Sequence, residues 1–241
     1  MILAVETSSD LCSIAVIDEK GLLVQRAFRH RMHLSERLVN DIQEVLDDAA
    51  VTLSSLKALA VGIGPGSFTG VRIGVMTMKT WADMLQIPIC GISAHDAVAR
   101  ECQVEEGELL VSVIRARPGS VYARLFQNDC PVTEPEILSL EVLCTEIAMR
   151  ESPVVNLCGE GLIRYSDEIC LALNRDGIAT RLCSTRPPSS RIIGEMARVR
   201  IKAGMVDDAM TLAPLYLAPP PIDPSVEVRV RLREAKARER G

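Results

Sequence analysis

The sequence predicts an α/β protein of two successive lobes, each a mixed β-sheet flanked by helices. Two observations support this prediction. Apolar runs in residues 1–104 follow the order strand, strand, strand, helix, strand, helix, strand, helix, and a similar order returns in residues 105–221. Hydrophobic residues make up 48% of the 241-residue chain, so a full core can be buried. Mixed sheets covered by helices form layers, with a cleft between the halves.

The first lobe opens with a predicted antiparallel meander of three strands. The runs 2–5 and 12–17 are apolar, a turn follows at 18–21, and the run 22–28 completes the meander. The rest of the lobe alternates helices and strands, because apolar residues recur at helical spacing between short apolar runs. These elements are a helix from Ser35, a strand at 58–63, a helix at 71–85, a strand at 87–92 and a helix from 93 to about 102.

The second lobe repeats this order of elements. Strands at 109–115 and 120–126 enclose a turn at 117–119, and the run 131–138 closes the meander. Helices and strands then alternate, as a helix at 139–150, a strand at 153–158, a helix at 162–173, a strand at 178–183 and a helix at 189–204. The repetition indicates an internal duplication, and the order of elements is that of the ribonuclease H-like superfamily of actin and the sugar kinases, the ASKHA superfamily.

The chain changes character after the second lobe. Three prolines at 219–221 end regular structure, and charged residues crowd together from 222 to 241. This last segment has too little apolar mass to fold alone. We therefore expect a mobile tail, and the alternative is an arm that binds a partner.

Composition argues against several classes of function. The formal charge is −5, Lys and Arg are scattered, and only 3% of residues are aromatic, so neither a basic nor a base-stacking nucleic-acid surface is expected. The eight cysteines include no C-x-x-C pair and lie mostly in apolar stretches, which is typical of reduced core thiols in the cytoplasm. The opening run lacks the basic start of a signal peptide, and no apolar run approaches membrane-spanning length.

The segment 64–74, GPGSFTGVRIG, is the most informative in the chain because it joins an apolar strand to a helix. Such a glycine segment offers free N–H groups to an anion, or it forms a tight packing corner. It is not a P-loop, since no Lys follows Gly70, and not a dinucleotide fingerprint, since Ser67 or Thr69 takes the place of the last glycine. The nucleophile elbow also fails, because Pro65 stands where that motif has glycine.

Two predicted helices of the first lobe carry apolar stripes that suit either a core or a partner surface. A stripe that faces the core is the ordinary arrangement. The helix at 71–85, however, also contains three methionines and the single tryptophan of the chain, which suits an adaptable interface. Two such helices from each subunit would form a four-helix bundle. The predicted interface residues are Leu34, Leu38, Ile42, Val45, Val71, Val75, Met76, Met78, Trp81 and Met84.

The glycine segment resembles the signature of the TsaB family, bacterial proteins of tRNA threonylcarbamoyladenosine synthesis. The resemblance is strong over about residues 1–100 and patchy from there to 217. Four further segments are similar to that family, namely ILAVETS at 2–8, HLSERL at 33–38, GEG at 159–161 followed by Tyr165, and PLYL at 214–217.

The resemblance implies two actin-like lobes and a non-catalytic role without a cofactor. TsaB-like proteins dimerise or pair with TsaD, a homologous subunit that transfers threonylcarbamoyl to an adenosine beside the tRNA anticodon. A small ATPase, TsaE, joins the assembly, and tRNA would meet the TsaB-like subunit only indirectly. The striped helices would then bind TsaD or a second copy. We interpret the glycine segment and its surroundings as a vestigial anion or nucleotide loop, or a TsaE contact, formed by Thr7, Ser8, Gly64, Pro65, Gly66, Ser67, Phe68, Thr69, Gly70 and Arg72.

The resemblance also implies that the metal site of the catalytic paralogue is lost. That paralogue binds its metal through H-x-x-x-H, and the two positions fall here on Ala94 and Val98. His95 would point about 100° away on a helix. His30 and His33 lack a third ligand nearby, so we expect helix-entry or surface roles for all three histidines. No metal-binding and no catalytic residue is predicted.

The phosphate hairpins of actin-like ATPases have no clear match either. The first hairpin, 6–10, has no glycine at its tip, and the second, 115–119, carries basic residues. Two facing carboxylates for Mg²⁺ are therefore not expected. Two alternatives stay open, namely a sugar-kinase-like or metallopeptidase-like enzyme, and a dimeric binding module with another client.

Overall fold

The first of two mixed sheets is formed by residues 2–92 of the computed structural model, which describes residues 1–29 and 33–217. The elements of this half are β1 (Ile2–Glu6), β2 (Leu11–Ile17), β3 (Leu22–Arg29), α1 (Leu34–Asp48), a short 3-10 helix (Leu53–Ser55), β4 (Ala58–Gly62), α2 (Phe68–Leu85), β5 (Ile89–Ile92) and α3 (Ala94–Ala99). The strand order is β3-β2-β1-β4-β5, with β1, β2 and β3 antiparallel and β1, β4 and β5 parallel. The predicted meander and its α/β continuation are confirmed.

The second sheet repeats this topology. Its half of the chain contains β6 (Leu109–Arg115), β7 (Ser120–Gln127), β8 (Cys130–Pro131), β9 (Glu136–Ser139), α4 (Leu140–Ala148), β10 (Val154–Cys158), α5 (Leu162–Arg175), β11 (Ala179–Ser184) and α6 (Ser190–Lys202). The strand order is β11-β10-β6-β7-β8, and β9 also pairs with β7. Strands β6, β10 and β11 are parallel and correspond to β1, β4 and β5. The predicted α/β class with two mixed, helix-flanked sheets is confirmed.

The central strands of each sheet, β1 and β4 in the first and β6 and β10 in the second, are buried on both faces. Alternate residues of such a strand point to opposite sides, so each set meets a different layer. In the first sheet, Leu3 and Val5 of β1 pack with α1 and α2. Ile2 and Ala4 of the same strand pack with α6. The result is a three-layer arrangement of helix, sheet and helix.

The last helix of each half covers the sheet of the other half. Helix α3 packs against β6 and β7, whereas α6 packs across β1, β2, β4 and β5. Gly194 of α6 lets this helix approach closely, since a Cβ at that position would collide with Ile17 and lie 3.0 Å from the Ala4 Cβ. The sequence analysis placed 189–204 in the second lobe, and the structure instead packs α6 on the first sheet.

Two element boundaries differ from the predictions for local reasons. Helix α2 begins at Phe68 rather than at 71, because the Ser67 side chain accepts a hydrogen bond from the Gly70 N–H and caps the helix. Thr69 and Gly70 are therefore helical. The predicted strand 131–138 is interrupted, with Pro131 at the end of β8 and residues 136–138 in β9, and Pro135 just before β9 cannot donate to a ladder.

Two further predictions concern the ends of the chain and the membrane. The predicted tail at 222–241 and His30 lie outside the described residues. In the part of the chain that is described, no helix combines the length and the apolar character needed to cross a bilayer.

Candidate functional site

The glycine segment is seated on the turn that joins β1 to β2. The Ser67 N–H donates to the Ser8 carbonyl oxygen at 2.6 Å, and the Gly64 carbonyl oxygen accepts from the Ala94 N–H at 2.7 Å. Gly64 and Gly66 have φ angles of +88° and +156°, and the Gly64–Pro65 peptide bond is cis. A Cβ on Gly66 would collide with the Ser8 carbonyl oxygen. Only glycine therefore fits this conformation and this contact.

The glycines of α2 make the same kind of close contact. A Cβ on Gly70 would collide with the Thr7 carbonyl oxygen, and a Cβ on Gly74 would collide with the Thr7 hydroxyl oxygen. A Cβ on Gly62, at the end of β4, would likewise collide with the Glu6 carboxylate. The β1–β2 turn thus fills the space that a side chain at these positions would need. The glycine segment is therefore a tight packing corner, one of the two roles that the sequence analysis considered. The anion-binding role stays a prediction.

The segment PLYL at 214–217, which also resembles the TsaB family, packs against the glycine segment. The rings of Tyr216 and Phe68 stack with their centroids 4.6 Å apart. The Leu215 N–H donates to the Ile63 carbonyl oxygen at 2.8 Å. The sequence analysis did not predict this contact between the glycine segment and PLYL, because the two segments are far apart in the chain and neither contains a local signal for the other.

A cleft of about 400 Å³ opens beside the glycine segment, between the two sheets. Asp10 lies on one side of it and Arg115 on the other, and their side chains form an ion pair at 2.8 Å. Glu160 also lines the cleft, where burial raises its pKa and the nearby Arg115 opposes that rise. The full lining is Ser8, Asp10, Gly66, Ser67, Phe68, Arg115, Ala116, Arg117, Tyr122, Ile137 and Glu160.

Two carboxylates, Asp10 and Glu160, line the cleft, although the sequence analysis did not bring these two residues together. Both interact with the guanidinium of Arg115, so a magnesium ion would have to compete with a resident positive charge. The backbone glycines beside them are already packed on protein atoms. These residues do not fit the magnesium–nucleotide site of an actin-like ATPase.

Glu6 is a fully buried carboxyl at the end of β1. Its Oε1 accepts a hydrogen bond from the Ser8 N–H. Desolvation by burial raises the pKa of Glu6 from 4.5 to about 7, which outweighs the lowering effect of that hydrogen bond. The neighbouring Thr7 hydroxyl is also buried and has no hydrogen-bond partner among the described residues.

The raised pKa of Glu6 predicts a pH dependence of stability. Between about pH 4.5 and 7 the folded protein keeps this proton while the unfolded chain loses it. The free energy of unfolding therefore falls as pH rises through this window, by ~3 kcal/mol from this group. Glu6→Gln should make the free energy of unfolding less dependent on pH in this window, since the Gln side chain does not titrate and its carbonyl oxygen can still accept from the Ser8 N–H. Urea unfolding at several pH values measures this, with the exposed Glu106→Gln as control. An unchanged slope in Glu6→Gln would refute the assignment.

His95 is placed differently from the prediction. It was expected at a helix entry or on the surface, but it is fully buried, and its Nδ1 lies 2.8 Å from the Ser112 hydroxyl oxygen. Burial lowers its pKa to about 3, so the ring is neutral and links α3 to β6. Ala94 and Val98 are buried beside it. Within residues 1–29 and 33–217, no group of three or more His, Cys, Asp or Glu side chains is placed to hold a metal ion.

The predicted interface residues divide into two sets. Seven of them lie in the core between α1, α2 and the first sheet, namely Leu34, Leu38, Ile42, Val45, Val71, Val75 and Met78. The other three reach the surface. Met76 and Met84 are 49% and 63% exposed, and Trp81 is half-buried. A partner that binds this side of the lobe would therefore meet Met76, Trp81 and Met84.

Two duplicated sheets, helices exchanged between them and a cleft at their junction define an actin-like fold. Residues 28–134 match the family model of TsaD, tRNA N6-adenosine threonylcarbamoyltransferase. The tRNA threonylcarbamoyladenosine biosynthesis protein TsaB of Bacillus subtilis (strain 168) is 28% identical over 218 residues, which are 88% of this chain and 94% of that protein. TsaB of Escherichia coli (strain K12) is 33% identical over 129 residues, 53% of this chain and 55% of that protein. The chain is therefore similar to TsaB proteins, in the Bacillus subtilis case over most of both chains.

Solved structures agree with the actin-like fold. YeaZ from Pseudomonas aeruginosa has a TM-score of 0.69 and 25% sequence identity, and the match covers 90% of this chain and 99% of that one. The ROK hexokinase from Thermus thermophilus has a TM-score of 0.51 at 13% identity, with 84% of this chain and 99% of that chain covered. The hexokinase shares the fold alone.

Proposed function

We propose that this chain is a non-catalytic subunit of the cytoplasmic complex that transfers threonylcarbamoyl to N6 of the adenosine next to the tRNA anticodon. The names of its TsaB relatives support the pathway. The observation that carries the non-catalytic role is the cleft, where Arg115 is paired with Asp10 and also interacts with Glu160. A group that is already neutralised by a neighbouring residue is poorly suited to bind a metal–nucleotide.

The proposed partner is a TsaD-like catalytic subunit, or a second copy of this chain when that subunit is missing. The exposed methionines of α2 support this, because exposed, flexible apolar side chains are enriched at interfaces that repack. Val39 of α1, also half exposed, adds to the apolar surface of this lobe. We assign a TsaE-like ATPase to the face that carries the glycine segment, and tRNA contacts this subunit only indirectly.

Threonylcarbamoyl transfer to tRNA in vitro tests the proposal. With the TsaD-like subunit, the ATPase and threonylcarbamoyl-adenylate present, we expect product only when this chain is added, and none from this chain alone. Mass spectrometry of tRNA nucleosides measures the product. Met149→Asp, an exposed change at the end of α4 in the second lobe, serves as an active control. Full product without this chain, or product from this chain alone, would contradict the proposal.

The enzyme alternative makes a different prediction. An actin-like kinase would bind magnesium–ATP in the cleft beside Asp10 and Glu160. Calorimetric titration of the isolated chain with ATP and Mg²⁺ separates the two, since a subunit without a nucleotide site gives no binding heat. A saturating heat that Arg115→Ala or Asp10→Asn alters would favour the enzyme.

A further inference from the structure

Three thiols from separate segments meet on the face of the second sheet that α3 covers. Cys102 follows α3, Cys158 ends β10 and Cys183 lies on β11, and all three belong to one apolar cluster with Val98 and Leu110. The Cys102 thiol donates to the Val98 carbonyl oxygen and the Cys183 thiol donates to the Asn156 Oδ1, each at 3.5 Å, so both point into this one cluster. All three are free cysteines. The function proposed above uses none of them.

Two of the three thiols are accessible from one side. Cys102 and Cys183 line an open cavity of about 870 Å³, whereas Cys158 is completely buried. Three arginines and three acids also line that cavity, namely Arg100, Arg186, Arg191, Glu101, Asp129 and Glu195. Arg191 lies 3.8 Å from Glu195, while Arg100 and Arg186 form no side-chain ion pair within the described residues. A thiol reagent can therefore reach Cys102 and Cys183 from this cavity, whose lining also includes basic side chains that attract an anionic group.

The surroundings favour Cys102 as the attacking thiol. Its pKa is lowered, chiefly because the Cys158 thiol can donate a hydrogen bond to the Cys102 thiolate. Burial raises the pKa of Cys183 to about 11. Cys158 has a pKa raised well above its ordinary value and does not reach the cavity.

We propose that Cys102 and Cys183 are a thiol–disulfide pair in which Cys102 reacts first. With glutathione disulfide as oxidant, the Cys102 thiolate attacks one of its sulfurs, forms a mixed disulfide and releases one glutathione thiolate. Cys183, after losing its proton to solvent, attacks the Cys102 sulfur and releases the second glutathione thiolate. Two protein thiols are oxidised by two electrons, and one glutathione disulfide is reduced to two glutathiones.

The pair would join the end of α3 to the last strand of the second sheet. Cys102 lies three residues beyond α3, and Cys183 lies seven residues before α6. The disulfide would therefore link the segment after α3 covalently to β11, the strand that precedes α6. Oxidation is then expected to raise the thermal midpoint, because the unfolded chain is constrained by the closed loop.

Cysteine mapping of the natural chain tests the proposal. The reduced protein is incubated with glutathione disulfide, its remaining thiols are blocked with N-ethylmaleimide, and its peptides are analysed by mass spectrometry. We expect a peptide pair joined through Cys102 and Cys183 that accounts for most of the Cys102 lost, and that dithiothreitol separates. Unmodified Cys102, a stable glutathione adduct without a cross-link, or a cross-link to Cys158 would overturn the assignment.

Two variants sharpen this experiment. Cys102→Ser should remove the cross-link and leave Cys183 available to N-ethylmaleimide, while Cys170→Ser, a half-buried cysteine on α5, should leave the cross-link unchanged. Both are made with Cys130→Ser, because Cys130 is exposed and would react by itself. A cross-link of equal yield in Cys102→Ser would contradict the assignment, and the mapping of the natural chain stands if a variant does not fold.

Discussion

Gly70→Ala is expected to lower the free energy of unfolding by about 3 kcal/mol or more, although alanine is the better helix former. The added Cβ would collide with the carbonyl oxygen of Thr7, which is backbone and cannot rotate away. Relief of the collision requires α2 to move off the β1–β2 turn, and that would open the core around Val71. The loss therefore exceeds the gain in helix propensity of ~1 kcal/mol.

Urea unfolding of both proteins measures this effect. The exposed neighbour Thr69→Ala provides a matched control in the same helical turn and should change the free energy of unfolding by less than ~0.5 kcal/mol. If Gly70→Ala were as stable as the natural chain or more stable, the packing corner would not be the reason for a glycine at this position.

The double substitution Met76→Asp and Met84→Asp is expected to weaken binding of a TsaD-like subunit by at least about 30-fold, or ~2 kcal/mol, with the fold intact. Both side chains are half exposed or more, so a carboxylate is solvated in the free chain and loses that solvation only in the complex. Calorimetric titration measures the affinity, and circular dichroism checks the fold.

Two comparisons make this result specific. Met149→Asp places the same charge on an exposed methionine of the second lobe and should leave the affinity unchanged. Val75→Asp, on the buried side of α2, is expected to unfold the protein, so it cannot serve as an interface probe. Unchanged affinity of the double variant would remove the exposed side of α2 from the partner surface.

The local parts of the fold could be predicted from the sequence because they depend on periodicity. The spacing of apolar residues within short stretches of the chain predicts the strands β1 to β3 and the helices α1 and α2. The exchange of α3 and α6 could not be predicted, since either sheet offers an apolar face to either helix. The start of α2 was missed because a glycine-rich stretch indicates a loop, and only the cap at Ser67 indicates that the helix already includes Gly70.

The candidate site was predicted less completely than the fold. The glycine segment was identified, but its role depends on Thr7 and Ser8, whose contact with it is a matter of tertiary packing. The pairing of Arg115 with Asp10 joins residues of different sheets and has no signal in the sequence. The stripes of α1 and α2 also could not be divided into core and surface, because an apolar residue has the same hydropathy on either side of a helix.

The exchange of α3 and α6 makes the two halves of this molecule mutually dependent. A fragment that ends at residue 104 would keep its sheet but not α6, and so would present Ile2, Ala4, Ala60 and Ile92 to water. The complementary fragment would lack α3, and with it the cover over Leu110 and Phe126. Each half thus completes its buried core only with a helix from the other half, and a movement that widens the cleft must also move a helix packed on the opposite sheet.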